Sequence, residues 1–330
     1  MTAAMIFTPR IAIIAVAICA IALSAAPQAQ TTGYPAKPVR LMVPAAAGSP
    51  ADVLARLIGE RFTRAGPQPW IVENRPGAGG MLGADVIAKA PADGHALLFT
   101  ANNFIISPSL FPSVPYDIYR DFTPIGTVAA GTDIIFANAS LNVTNLKELA
   151  ALSKRTAGGV NYGAPFVGSS AHLTMEMLKQ AASMDLNYIP ASGGPQSFSE
   201  AVAGRVPVVI GSASAGLGLV KSGRLSALVV IDKRRSSLAP EVPTLQEEGY
   251  PAISNPLWFA LYGPARMPEP IVQSLNRDLS LALAAKDIAD ALVTRGFEPR
   301  PSSPKELEAL MRAEQPLFAK AIREAGVKVQ

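Results

Sequence analysis

Four stretches of small and hydroxyl-bearing residues hold most of the chain's candidate binding chemistry: Pro44 to Asp52, Gly163 to Ser170, Ala191 to Pro195 and Gly211 to Ser214. Each follows a short apolar run and reads as a loop-to-helix junction. A strand that turns through small residues into a helix leaves backbone N–H donors at the positive end of the helix dipole, where a carboxylate or phosphate is stabilised. The first stretch is the best specified, with Ser49 as N-cap, Pro50 at the first helical position and Asp52 placed like the acid of a capping box. The candidate anion contacts are therefore Ala46, Ala47, Gly48, Ser49 and Asp52 in the first stretch and Ala164, Phe166, Gly168, Ser169 and Ser170 in the second. Ser192, Gly211 and Ser212 follow from the other two, and Asn102 and Asn103 close the third strand. Hydrogen bonds to a charged group contribute roughly 1.5–3 kcal/mol each, and a micromolar complex needs roughly 8 kcal/mol. Four or five such donors suffice without a buried arginine.

Other chemistries have less to stand on. His95 and His172 are the only histidines, no Gly-x-Ser-x-Gly is present, and Gly211-Ser-Ala-Ser-Ala-Gly216 misses that spacing. A secreted serine hydrolase using Ser212 or Ser214 with His172 is the alternative to a binding protein. Two separated histidines and a single cysteine give no zinc site of standard type. The run Gly77-Ala-Gly-Gly-Met-Leu-Gly83 follows a strand and opens a helix, but its spacing is not Gly-x-Gly-x-x-Gly and it follows the second strand. Its glycines read as a tight turn and a close helix contact. No cofactor is expected.

The elements that position these loops follow from the rest of the chain. At 330 residues with 49% hydrophobic and 16% charged side chains, the chain is ordered and long enough for about two domains. Residues 1–29 read as a signal peptide: Arg10 is the one charge before the apolar run Ile11 to Leu23, and small residues follow, with cleavage after Ala26 or after Ala29. The apolar run is too short for a membrane span, which needs roughly 20 residues. Loss of the leader removes Arg10 and the only cysteine, Cys19, and leaves 28 basic against 25 acidic side chains, a net of about +3. A cysteine-free mature chain suits an oxidising periplasm. The spread of the positive charge, with no aromatic-interleaved basic patch, gives no support to nucleic-acid binding.

Val39 to Val43, Trp70 to Glu73 and His95 to Thr100 read as strands alternating with helices, the pattern of a parallel sheet covered on its faces. Asn102 to Thr123 reads as irregular. After strands near Ile125 to Val128 and Ile134 to Phe136 the rhythm restarts, with helices at Leu146 to Leu152, Ala171 to Ala182 and Phe198 to Ala203. The intervening strands are Val160 to Tyr162, Leu186 to Ile189, Val206 to Ile210 and Leu225 to Ile231. Trp258 to Tyr262 is a last strand, and the remainder reads as helical, packing back on the first sheet. This predicts an α/β chain of two domains, 30–130 with 255–330 and 131–254, joined by crossings near 130 and 255. In such folds ligands sit at the carboxyl ends of the strands.

Tyr34-Pro-Ala-Lys-Pro-Val-Arg40, Val72-Glu-Asn-Arg-Pro-Gly-Ala-Gly-Gly80, Ala90-Pro-Ala-Asp-Gly94, Pro115-Tyr-Asp117, Ser169-Ser-Ala-His-Leu173 and Pro240-Glu-Val-Pro-Thr244 together resemble the substrate-binding receptors of tripartite tricarboxylate transporters, the Bug-type proteins. The likeness runs over essentially the whole mature chain. It implies a periplasmic binding protein fold of type II, a flytrap with two interdomain crossovers that closes as a monomer on a small organic acid. The partner it implies is a membrane permease or a sensor, and the family is not known for catalysis. In the family the ligand is held by the loops that match Pro44 to Asp52 and Gly163 to Ser170. This chain departs from the family pattern at Ala45, at Gly48-Ser49, at Ala191-Ser-Gly193 where Tyr-Lys-Gly is common, and at Gly211 where an acid is common. With Pro165, Phe166 and Val167 the pocket is less charged and more apolar, which leaves a dicarboxylate, a monocarboxylate or an aromatic acid as ligand. An acid introduced at either helix start, Ser49→Asp or Ser169→Asp, is expected to abolish anion binding.

Overall fold

The computed structural model describes residues 33–191, 193–253 and 256–328. The leader read at 1–29, with its cleavage positions, and Ser192 lie outside the described residues. The chain first lays down β1 (Val39–Val43), β2 (Trp70–Asn74), β3 (Ala96–Ala101) and the long β4 (Phe122–Gly131). It then builds β5 (Asp133–Asn138), β6 (Val160–Gly163), β7 (Leu186–Ile189), β8 (Val208–Ser212) and β9 (Leu225–Val230), and returns with β10 (Trp258–Pro264) and β11 (Phe297–Pro299). Two sheets result, ordered β11-β4-β10-β3-β1-β2 and β7-β6-β8-β5-β9.

Helices α1 (Pro50–Ala65), α2 (Met81–Ala88) and α3 (Asn103–Leu110) follow β1, β2 and β3. In the second sheet α4 (Leu146–Arg155) follows β5, and α5 (Ser170–Ala181), α6 (Gly194–Val202) and α7 (Ala213–Lys221) follow β6, β7 and β8. The tail is α8 (Glu269–Ala284), α9 (Lys286–Thr294) and α10 (Pro304–Ala325). The last helix is well specified: Ser303 and Glu306 form a full capping box, Pro304 fills the first position and Gly326 ends it at φ 63°. Its Leu307, Met311, Phe318 and Ile322 are buried in one cluster with Trp258 and Tyr262 of β10, so the tail packs on the first sheet. Each such large side chain removed from water contributes roughly 1.5–3 kcal/mol. Leu173 of α5 joins the same cluster, which ties the second half of the molecule to the first.

Strand direction decides where the loops go. β1 pairs in parallel with β2 and β3, while β10 is antiparallel to β3 and β4. The carboxyl ends of β1 to β3 therefore share an edge with the end of β4 and the start of β10. In the second sheet β6 is parallel to β7 and β8, and β5 is antiparallel to β8 and β9, so the carboxyl ends of β6 to β9 share an edge with the start of β5. The chain crosses from the end of β4 to the start of β5 through Thr132, and from the end of β9 back to the start of β10. Both crossings thus join the two carboxyl edges, and the loops that leave those edges are brought to one region.

Two elements differ from the sequence expectation. The stretch read as irregular contains α3, with Pro108 inside it; that proline forgoes only the bond to Phe104, and burial of Phe104, Ile105 and Ile106 holds the turn. The helix expected to open at Gly211 to Ser214 is present as Ala213–Lys221 despite Gly216 and Gly218, because a Cβ at Gly216 would lie 2.2 Å from the Phe136 ring. Close packing there overrides poor propensity. The tail is not wholly helical either, since β11 adds to the first sheet's edge, where Pro299 is tolerated.

Candidate functional site

Two of the predicted loops are built to one plan. After β1, Gly48 has φ 79° and Ser49 caps α1 at φ −67°, ψ 160°. After β6, Gly168 has φ 76° and Ser169 caps α5 at φ −63°, ψ 155°. Ser49 N–H donates to the Ala46 carbonyl (3.1 Å) and Ser169 N–H to the Phe166 carbonyl (3.2 Å). Each serine Oγ accepts from the amide three residues on, Asp52 at 3.3 Å and His172 at 3.1 Å. Each glycine N–H then donates to the side chain four residues on: Gly48 to Asp52 Oδ2 (2.8 Å) and Gly168 to His172 Nδ1 (3.0 Å). The capping box read at Ser49 is thus half right, for the acid's bond returns to Gly48 and not to the cap.

The two loops differ in charge. Asp52 is buried, and although burial works to raise its pKa, the nearby Arg56 guanidinium, the hydrogen bond from the Gly48 amide and the neighbouring Asn74 amide hold it below the usual carboxylate value. Arg56 Nη2 lies 3.0 Å from Asp52 Oδ1 and donates to Asn74 Oδ1 (3.0 Å), while Asn74 Nδ2 donates to the Ala45 carbonyl (3.2 Å). The first loop is therefore clamped by an ionised acid. His172 is buried too, and burial, opposed by Glu176 and aided by Lys179, pushes its pKa down to about 4. Its ring lies tilted against Tyr188, with centroids 4.0 Å apart, and Tyr162, stacked on it at 6.4 Å, donates to Glu176 Oε1 (2.5 Å). The second loop is clamped by a neutral ring.

The donors left over mark what each loop can bind. Among the described residues, the amides of Ala46, Ala47 and Ala51 in the first loop have no acceptor, and neither do those of Phe166, Val167, Ser170 and Ala171 in the second. Ser170 Oγ also makes no hydrogen bond. Phe166 is 54% exposed on the second loop. Ala164, buried, anchors that loop through Ser197 Oγ, which donates to its carbonyl (3.0 Å). A Cβ at Gly168 would fall 2.5 Å from Leu110 of α3, so the second loop abuts the first sheet's own helix.

The remaining candidates have other employment. Asn102 is buried at the second crossing, where its amide donates to the Trp258 carbonyl (3.0 Å) and its Nδ2 to Pro256 (3.2 Å), leaving Oδ1 without a partner. Asn103 reaches the Gly79 carbonyl (3.4 Å), and a Cβ at Gly83 would meet Pro44 at 2.9 Å, which explains the glycine run as a close helix contact. Gly211 is needed because a Cβ there would lie 2.9 Å from Phe198. Ser212 begins α7 without a side-chain cap and accepts only from Ser214 Oγ (3.4 Å). With Nδ1 occupied by Gly168 and a low pKa, His172 is a poor base, and no serine hydroxyl donates to it among the described residues. The supports missed in sequence are Arg56, Asn74 and the Tyr162–Glu176 pair. Only Asn74 carried a signal, inside the Glu-Asn-Arg-Pro string.

The family model described as "Tripartite tricarboxylate transporter family receptor" matches residues 54–327. Protein BugT of Bordetella pertussis is 32% identical over 325 residues, covering 98% of this chain and 99% of that protein. The solved structure of the periplasmic binding protein BugD is 30% identical, with a TM-score of 0.72 over 90% of this chain and 100% of the other. A Rhodopseudomonas palustris protein solved with adipate is 28% identical, with a TM-score of 0.75 over 89% and 99% of the two chains. MatC from the same organism, with bound malate, is 29% identical, with a TM-score of 0.71 over 88% and 100%.

Proposed function

Because the chain belongs to the tripartite tricarboxylate transporter receptor family, and so is a solute receptor and not a hydrolase, we propose that it captures a small organic monocarboxylate between its two facing edges. The lobes of this reading are 30–130 with 255–330 on one side and 131–254 on the other. The carboxylate is seated chiefly on the free amides of Phe166, Val167, Ser170 and Ala171 with Ser170 Oγ, and Ala46 and Ala47 close over it. Gly48, Ser49 and Asp52, like Gly168, Ser169 and His172, shape the loops. Asn102, Asn103, Ala164, Gly211 and Ser212 fix the surrounding walls.

The observation that carries this reading is the pair of matched loops with unspent amides on edges that both crossings join. The preference for one charge rests on composition: residues 44–52, 102–103, 163–170, 191–195 and 211–214 include no Lys or Arg. Neutral donors can seat one carboxylate, but a second, desolvated without a cation, is costly. Exposed Phe166 gives an apolar body somewhere to lie. The relatives solved with adipate and malate hold acids with two carboxyl groups, so the proposed ligand differs in class from theirs. Export by the leader at 1–29, action as a monomer, and delivery to a tripartite-type permease or a sensor belong to the same proposal.

A thermal-shift panel tests it. Benzoate and isovalerate should raise the melting temperature more than malate or adipate, and benzamide should not. Stabilisation by dicarboxylates alone would remove the monocarboxylate reading, and stabilisation by no acid would remove the carboxylate site.

A further inference from the structure

A cavity of about 360 Å³ lies at the second crossing, away from both matched loops. Asp232 and Lys233 from the crossing form one wall, and Trp258 of β10 with Leu310, Glu314 and Leu317 of α10 form another. Its size falls within the range of small-ligand pockets, roughly 300–1,000 Å³.

Glu314 gives the cavity its chemistry. It is 4% exposed, its Oε2 accepts from Trp258 Nε1 (2.8 Å), and its Oε1 has no hydrogen bond among the described residues. No Lys, Arg or His stands within ion-pair distance of it among the described residues. Burial pushes its carboxyl up to about 7 against the Trp258 bond and the charges of Lys233 and Arg300, with Asp232 adding to the rise. A buried carboxyl poised between its two forms, with one oxygen free, lacks a counter-ion. Arg300 is paired with Asp232 through Nη2 (2.5 Å), and although its buried Nε has no hydrogen-bond partner it makes no ion pair with Glu314. Lys233 is exposed at the rim and makes no ion pair. Glu306 also lines the space, its carboxylate committed to Ser303 in the capping box. With Glu314 ionised, Asp232, Glu306 and Glu314 outnumber Lys233 and Arg300, so the lining has an acid excess of one.

We propose that this cavity is a second ligand site, taking a small organic monocation whose ammonium pairs with Glu314 and whose apolar body lies against Trp258, Leu310 and Leu317. The indole favours a cation beside it, and the aliphatic walls favour an alkyl or aryl body over a hydrated metal ion. The site is independent of the carboxylate cleft.

Titration of the full chain with n-butylammonium, followed by ligand-observed NMR, tests this, with n-butanol and butyrate as neutral and anionic probes of similar size. Butylammonium should saturate with a millimolar Kd and bind several-fold tighter at pH 8 than at pH 6. Glu314→Gln, which keeps an acceptor for Trp258, should weaken it at least tenfold, and Ala313→Phe, at an exposed position on the cavity wall, should abolish it. Absence of saturation up to about 50 mM, equal affinity in Glu314→Gln, or tighter binding of butyrate would each overturn the proposal.

Discussion

The loop after β1 and the loop after β6 share a backbone, a serine cap and a glycine bonded to the side chain four residues on, yet one is closed by a carboxylate and the other by an imidazole. The geometry is the same; the field is not. Asp52 sets a full negative charge against the helix start whose dipole would otherwise attract an anion, and only Arg56 and the amides offset it. His172 satisfies the same glycine without any charge, so the positive end of α5 stays available. One fold motif therefore yields a self-neutralised loop and an open one. On this account the second loop carries most of the binding energy and the first acts as a lid.

Changes at the two glycines should separate the loops most clearly. Gly168→Ala forces a positive φ on alanine and drives a Cβ to 2.5 Å from Leu110, so a loss of about 3 kcal/mol is expected. Gly48→Ala meets nothing within 4 Å and should lose only about 1 kcal/mol. Denaturant titration of both variants checks the difference; equal losses would mean that the second loop is not packed on α3.

Acid should reach the two clamps in sequence. The His172 pKa falls from an ordinary 6.5 to about 4, so the folded state resists the proton that the unfolded chain accepts, and stability is lost as pH drops from about 6.5 towards 4, by roughly 3 kcal/mol. Asp52 is lowered as well, but its contribution is intact above the unfolded carboxylate value and fades only below about pH 4. Hydrogen exchange followed at both helix starts should therefore show α5 opening at a higher pH than α1. His172→Asn should flatten the upper part of the curve, and an unchanged profile would contradict the buried neutral ring.

Arg56→Ala is the mildest change. Half of that side chain is exposed, so the pair it makes with Asp52 contributes about 0.5 kcal/mol to stability. Leaving Asp52 without its partner should weaken anion binding two- to threefold, measured by calorimetry with the strongest acid of the thermal-shift panel.

Much of this was legible in the residues. Ser49-Pro50 and Ser169-Ser170 announced both helix starts, because caps act within a few residues of chain, and alternating apolar runs announced both sheets. α3 and β11 were hidden because distant contacts decide them: Pro108 and Pro299 are poor local choices held by burial and by an edge position. The same limit applies to the site. Asp52 and His172 stand four residues after a glycine in both loops, but sequence alone did not tell a side chain that seats a ligand from one that folds back on its own loop. Nor did it indicate that Asn102 serves a crossing.

The most direct test exchanges the charge between the clamps. Calorimetric titration of the strongest acid from the panel into Asp52→Asn and His172→Asp, both checked for folding by their melting temperatures, places a carboxylate under the second loop and removes it from the first. Two like charges about 6 Å apart in a partly polar setting repel by roughly 3 kcal/mol, so His172→Asp should lose about a hundredfold in affinity. Asp52→Asn should bind as tightly as the natural chain or tighter. Undiminished affinity in a folded His172→Asp, or a loss in Asp52→Asn as large as that in His172→Asp, would contradict the account.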